Sequence, residues 1–211
     1  MHADRQRPSP TEIACWIAVA TTCLWSTIDP HDRLTWWLEA LPSVAVLVLL
    51  PALFARFRFT PLATVLIATH AIVLLVGAHY TYAEVPLGNW ARDTFDLSRN
   101  HYDRFGHVMQ GFAPAIVARE VLARRSPLHG SRWLPFLAIC FCLAFSAFYE
   151  LIEWWVAIST GDDAVAFLAT QGDVWDTQWD MFLALAGACL SLALLSRLHD
   201  RQLARCPSPT A

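Results

Sequence analysis

His107 follows Asp103 by four residues, Glu153 follows Glu150 by three, and Asp180 follows Asp176 by four, with Asp173 three residues further upstream. On a helix, each of these spacings puts both side chains on one face. An imidazole near neutral pH can act as a general base or as a nucleophile. Arg104 and Gln110 stand one turn to either side of His107, and an arginine there suits a phosphate oxygen. All of these groups interrupt otherwise apolar runs such as FYELIEWW and VWDTQWDMFLALAG. Carboxylates in apolar helices are costly, and several together repel one another. A divalent cation, or bound arginine side chains, offsets both effects. Oxygen donors with a single imidazole suit Mg²⁺, Mn²⁺ or Ca²⁺ better than a thiolate-binding metal. The pattern therefore predicts a polar centre in which His107 is base or nucleophile and Glu153 orients it. Glu150, Asp176 and Asp180 hold the cation, while Asp103, Arg104 and Gln110 face the substrate.

The surrounding chain determines what can position such a centre. Of 211 residues, 56% are apolar and 16% charged, and the net charge is −3. That balance excludes a disordered chain and a basic nucleic-acid binder, so membrane lipids are the expected partners and nucleic acid is not. The fold class is all-α: a polytopic membrane protein of about six helices in one compact bundle. Residues 1–211 form a single membrane domain with short cytoplasmic tails at 1–11 and 198–211. The apolar runs predict spans at 12–28, 36–55, 61–83, 105–123, 133–159 and 174–196. The first follows Arg5 and Arg7 and lacks a small-x-small cleavage site, so it reads as an uncleaved helix. The fourth is the weakest, with breaks expected at Gly111 and Pro114. Every basic residue is arginine, and ten of the 15 fall on the side that carries both termini. The positive-inside rule makes that side cytoplasmic, and tryptophans near the span ends supply an interfacial belt. The six cysteines contain no CxxC pair and read as structural.

This layout sends the ionisable groups to one depth. Span three ends outside with His79 and Glu84, and span four begins there with Asp103, Arg104 and His107. Span five carries Glu150 and Glu153 in its outer half, and span six begins with Asp173, Asp176 and Asp180. Some of these groups have simpler roles. Asp173 fits a helix N-cap, a single glutamate beside Trp154 and Trp155 fits an interfacial charge, and His70 fits an interhelical hydrogen bond. Arg119 lies roughly 18 Å along the helix from His107, as suited to anchoring the cytoplasmic end as to contacting a phosphate from below. Gly161-Asp162-Asp163 reads as a solvated turn.

YDRFGHVMQGFAPAIVAREVL, FYELIEWW and QGDVWDTQWDMFLALAG resemble the bacterial YjdF family of small inner-membrane proteins, over roughly residues 20–197. More distantly, the order of the blocks is similar to VanZ-like membrane proteins and to base-exchange phosphatidylserine synthases. In that order His107 and Arg119 lie on the first block, Glu150 and Glu153 on the second, and Trp175, Asp176 and Asp180 on the third. The second resemblance implies a helical cone whose polar centre attacks or exchanges a phospholipid head group, with calcium as a supporting ion. The expectation is a membrane-embedded enzyme acting on a lipid phosphate at the extracytoplasmic face. Two rivals are a proton- or divalent-cation-coupled transporter and a non-catalytic assembly partner.

Overall fold

A computed structural model describes the backbone of residues 8–54, 57–160 and 165–206, with side chains throughout these except at 50–54 and 165–166. The expected turn at Gly161-Asp162-Asp163 and the arginines at 5, 7 and 56 lie outside the described residues. Within them the chain is all-helical, with seven helices of ten residues or more, one single α-helical turn and one 3-10 turn at Tyr82–Glu84. These are α1 (Pro10–Ser26), α2 (Arg33–Phe54), α3 (Pro61–Tyr80), α4 (Pro86–Phe95), α5 (Tyr102–Arg125), α6 (Trp133–Thr160), the four-residue α7 (Val165–Leu168) and α8 (Asp176–Leu203).

Local chemistry fixes the helix starts. Ser9 accepts from the Glu12 amide while the Glu12 carboxylate accepts from the Ser9 amide, a capping box ahead of Pro10. Thr60 caps α3 ahead of Pro61. At α2 the Thr35 amide donates to Asp32 at 2.7 Å, which draws that carboxyl below its ordinary range.

Among the described residues, three helices, α3, α6 and α8, are long and apolar enough to cross a membrane. The bundle is organised around α5, which packs against α3, α6 and α8. Gly111 and Pro114 do not break it: α5 is continuous through both. Gly111 instead serves close packing. A Cβ there would run into the Ala184 carbonyl of α8, and one at Gly187 would run into the Val108 carbonyl of α5. Around this contact the core uses small side chains, among them Ala113, Ala115, Ala138, Cys142 and Ala188. Large apolar residues such as Leu24, Phe136, Phe148 and Leu194 point outward, as lipid-facing positions require. A second packed layer joins α1, α2 and α3 through Val19, Trp36, Ala68 and Leu75. Helix α4, absent from the expected spans, is short and amphipathic, with no buried residue of its own.

Candidate functional site

The site begins at a loop that a single asparagine holds in place. Asn100 is fully buried, donates to the Val85 carbonyl and to Asn89, and accepts from the Tyr102 amide at the start of α5. Its backbone exchanges two hydrogen bonds of 2.9 Å with the Gln171 amide. Both strands of chain that feed α5 and α8 are thereby fixed, and Arg99 beside Asn100 turns inward. Arg99 donates to Asp176 at 2.7 Å and to the Ala169 carbonyl at 3.3 Å, with Asp173 at 3.6 Å and Asp103 at 3.9 Å. Arg104 bonds Asp173 and lies over the Trp179 ring, 5.3 Å from its centroid. Next to them His101 is held below the ordinary imidazole range, first by burial and then by Arg104 and Arg99.

One turn into α5, His107 Nδ1 is 2.9 Å from the Gln110 amide oxygen, while Nε2 faces Asp103 at 3.6 Å and Asp180 at 3.8 Å. With Nδ1–H donated to Gln110, Nε2 presents a lone pair between two carboxylates. The last two separations exceed hydrogen-bond length but match oxygen and nitrogen donors arranged around a small shared partner. Two overlapping sets each offer one donor atom per residue, all within 4.8 Å of one another: Asp103, His107 and Asp180, and His107, Glu150 and Glu153. Asp103, His107, Glu150 and Asp180 are buried, and Glu153 is half-buried. Glu150 Oε1 and Asp180 Oδ1 have no hydrogen-bond partner among the described residues.

Of the residues expected from sequence, Asp103, His107, Gln110, Glu150, Glu153 and Asp180 meet at this centre. Asp176 and Arg104 stand at its edge, Asp176 engaged by Arg99. Asp173, expected to cap α8, accepts from the Trp175 amide at 2.9 Å and also binds Arg104. Arg119 is not part of the centre. It lies towards the other end of α5, donating to His199 at 2.9 Å and to Asp200 at 2.6 Å. His79 turns away as well, its Nδ1 3.3 Å from the Ser26 carbonyl, and His70 leaves Nε2 without a partner. Two residues of the region escape a reading by spacing. Arg99 looks like an ordinary loop charge, and Glu39 stands alone in α2. Glu39 is 3% exposed and neither carboxylate oxygen has a hydrogen-bond partner among the described residues, while the Leu38 carbonyl beside it accepts from the Tyr149 hydroxyl at 3.4 Å. The available signal was a lone acid in the apolar run LTWWLEALPSVAVL.

Apolar helices with outward-facing hydrophobic side chains and a buried polar centre at one end define a helical integral membrane protein. The family described as a predicted membrane protein, DUF2238, matches residues 11–201, and the chain belongs to it. It is similar to the inner membrane protein YjdF of Escherichia coli (strain K12), at 50% identity over 182 residues, covering 86% of this chain and 87% of that one. Its location is accordingly the bacterial inner membrane. No solved structure matches. These comparisons do not extend to VanZ-like proteins or phosphatidylserine synthases.

Proposed function

We propose that this chain is a membrane-embedded enzyme that hydrolyses or exchanges the head group of a phospholipid or lipid-linked phosphate, assisted by a divalent cation. In this reading six helices span the bilayer, both termini are cytoplasmic, and the centre around His107 opens to the extracytoplasmic leaflet. The observation that carries the proposal is His107 itself, with Nδ1 committed to Gln110 and Nε2 aimed between Asp103 and Asp180. That ring orientation leaves Nε2 free to take a proton.

The acceptor is water or an alcohol. Its hydroxyl gives a proton to His107 Nε2 as its oxygen forms a bond to phosphorus. The bond from phosphorus to the departing oxygen breaks, and that oxygen recovers the proton from His107. Asp180 and Glu150 would hold a cation there, whose charge would neutralise the phosphoryl oxygens. Arg104, whose side chain is partly exposed, lies close enough to the surface to meet the phosphate first. Glu153 orients the centre, and Asp176 keeps Arg99 in place. The lipid substrate is supported by the resemblance to head-group-exchanging synthases; the acid–base centre rests on geometry.

The test is to incubate the purified protein with phospholipid vesicles of defined head groups and follow head-group release or exchange, with Mg²⁺, Mn²⁺ or Ca²⁺ and with a chelator. Cation-dependent release from one lipid class supports the proposal. Silence across all classes and cations argues for the carrier reading, which is favoured by the buried acids unpaired inside the bundle. Reconstituted vesicles would then show cation or proton flux.

A further inference from the structure

Resting on the reading of the His107 centre as one that handles a lipid phosphate, we infer that Arg99 and Arg104 form a clamp for a singly charged phosphodiester. Asp173 occupies that clamp until the lipid displaces it. The two oxygens of Asp173 have different tasks. Oδ1 accepts from the Trp175 amide at 2.9 Å and shapes the start of α8. Oδ2 accepts from Arg104 and lies 3.6 Å from Arg99 Nη1. One carboxylate oxygen is thus shared by two guanidinium groups, one on the loop before α5 and one on α5 itself.

That oxygen serves Arg104 well and Arg99 poorly, because 3.6 Å is beyond hydrogen-bond length. Arg99 is 7% exposed, and its Nε makes no hydrogen bond among the described residues. A buried guanidinium with a donor to spare is costly. A phosphodiester has two unesterified oxygens and can give one to each arginine, whose forked donors suit them. Charge selects the diester. Asp173 carries one negative charge, and a phosphodiester brings one in its place. A monoester dianion would add a second charge near Asp176, which Arg99 holds at 2.7 Å, and Asp103, 3.9 Å from Arg99. Position favours a lipid over a free anion. Asp173 and Arg104 are partly exposed. The nearby Val174, Trp175 and Trp179 are exposed apolar side chains, and Arg104 lies over the Trp179 ring. Such a rim suits a glycerol backbone and acyl chains. Arg104 and His107 are one turn apart on α5, so the clamp stands beside the imidazole.

Titration calorimetry of the purified full chain tests the clamp, in uncharged detergent with a chelator present. A pH of about 8 keeps monoesters as dianions. The probes are dihexanoylphosphatidylglycerol, dihexanoylphosphatidic acid and dimethyl phosphate. Phosphatidylglycerol should bind tightest, and Asp173→Asn, which keeps an oxygen for Trp175, should tighten it roughly tenfold. Arg104→Gln should weaken it by a similar factor, and it reads the clamp if Asp173→Asn does not fold. Unchanged or weaker binding by folded Asp173→Asn, unchanged binding by Arg104→Gln, or tighter binding of phosphatidic acid overturns the inference. Dimethyl phosphate binding as tightly as phosphatidylglycerol overturns the lipid as the source. Binding as expected with no head-group release leaves the clamp standing and removes the proposed enzyme. Release with none of these binding responses does the reverse.

Discussion

Arg119 Nη1 lies 2.9 Å from Nδ1 of His199, a histidine with no solvent exposure. An arginine can only donate, so Nδ1 accepts and the ring proton is on Nε2. Nε2 in turn donates to Glu120 at 3.1 Å, and Glu120 also accepts from the Thr60 amide, the Thr60 hydroxyl and Arg124. Every acceptor in this knot is answered by a donor. At the other end of α5, around His107, acids outnumber donors and several oxygens are unpaired. The two clusters therefore have opposite mutational signatures.

Replacing His199 with alanine leaves Glu120 buried without one donor and Arg119 without one acceptor. We expect a loss of roughly 3 kcal/mol of stability, seen as a lowered melting temperature in detergent.

Removing a carboxylate from the His107 centre acts the other way. Asp180→Asn or Glu150→Gln removes like-charge repulsion, so the melting temperature stays level or rises in cation-free buffer. The same variants lose cation-dependent stabilisation, which for the wild type should reach about 2.7 kcal/mol when the free cation is a hundredfold above its Kd. A thermal shift titration reads both effects; equal cation stabilisation in wild type and variants would remove these residues from the ligand set.

Gly111→Val and Gly187→Val place side-chain atoms against the backbone of the neighbouring helix. Each should destabilise by at least about 1–3 kcal/mol and separate α5 from α8. Paired cysteines placed across these helices would then cross-link poorly compared with the parent.

Gln110→Leu removes the acceptor that sets the His107 tautomer while leaving its carboxylate neighbours intact. Head-group release should fall roughly 10- to 100-fold with little change in melting temperature, and Gln110→Glu, which keeps an acceptor oxygen, should recover part of it.

Much of this arrangement is legible in the chain because helical spacing is regular. Asp103 with His107, Glu150 with Glu153, and Asp176 with Asp180 each announce a polar face, and arginine placement gives them a common end. Three spans agree with helices able to cross a membrane. What spacing cannot carry is pairing between distant elements. Glu39 has no partner on its own helix, and its place depends on how α2 leans on the bundle. Glu120 and His199 are 79 residues apart, and only the α5–α8 contact joins them. Arg119 belongs to that knot, so its place in the distant family order does not make it part of the His107 centre. Gly111 and Pro114 look like a break by residue type, yet α5 runs through both and Gly111 serves the close approach to α8. Helix α4 is not legible as a span because its apolar content is too low and its ten residues are too few.

The central claim is that His107 moves a proton during cation-assisted chemistry on a lipid phosphate. It is tested most directly by comparing the wild type with His107→Asn in the head-group release assay, both at matched cation occupancy. The account predicts cation-dependent release by the wild type and a loss of about 10²- to 10⁴-fold in the variant, with its melting temperature and bound cation retained. Equal release by both proteins, or none by the wild type on any phospholipid class, would contradict it.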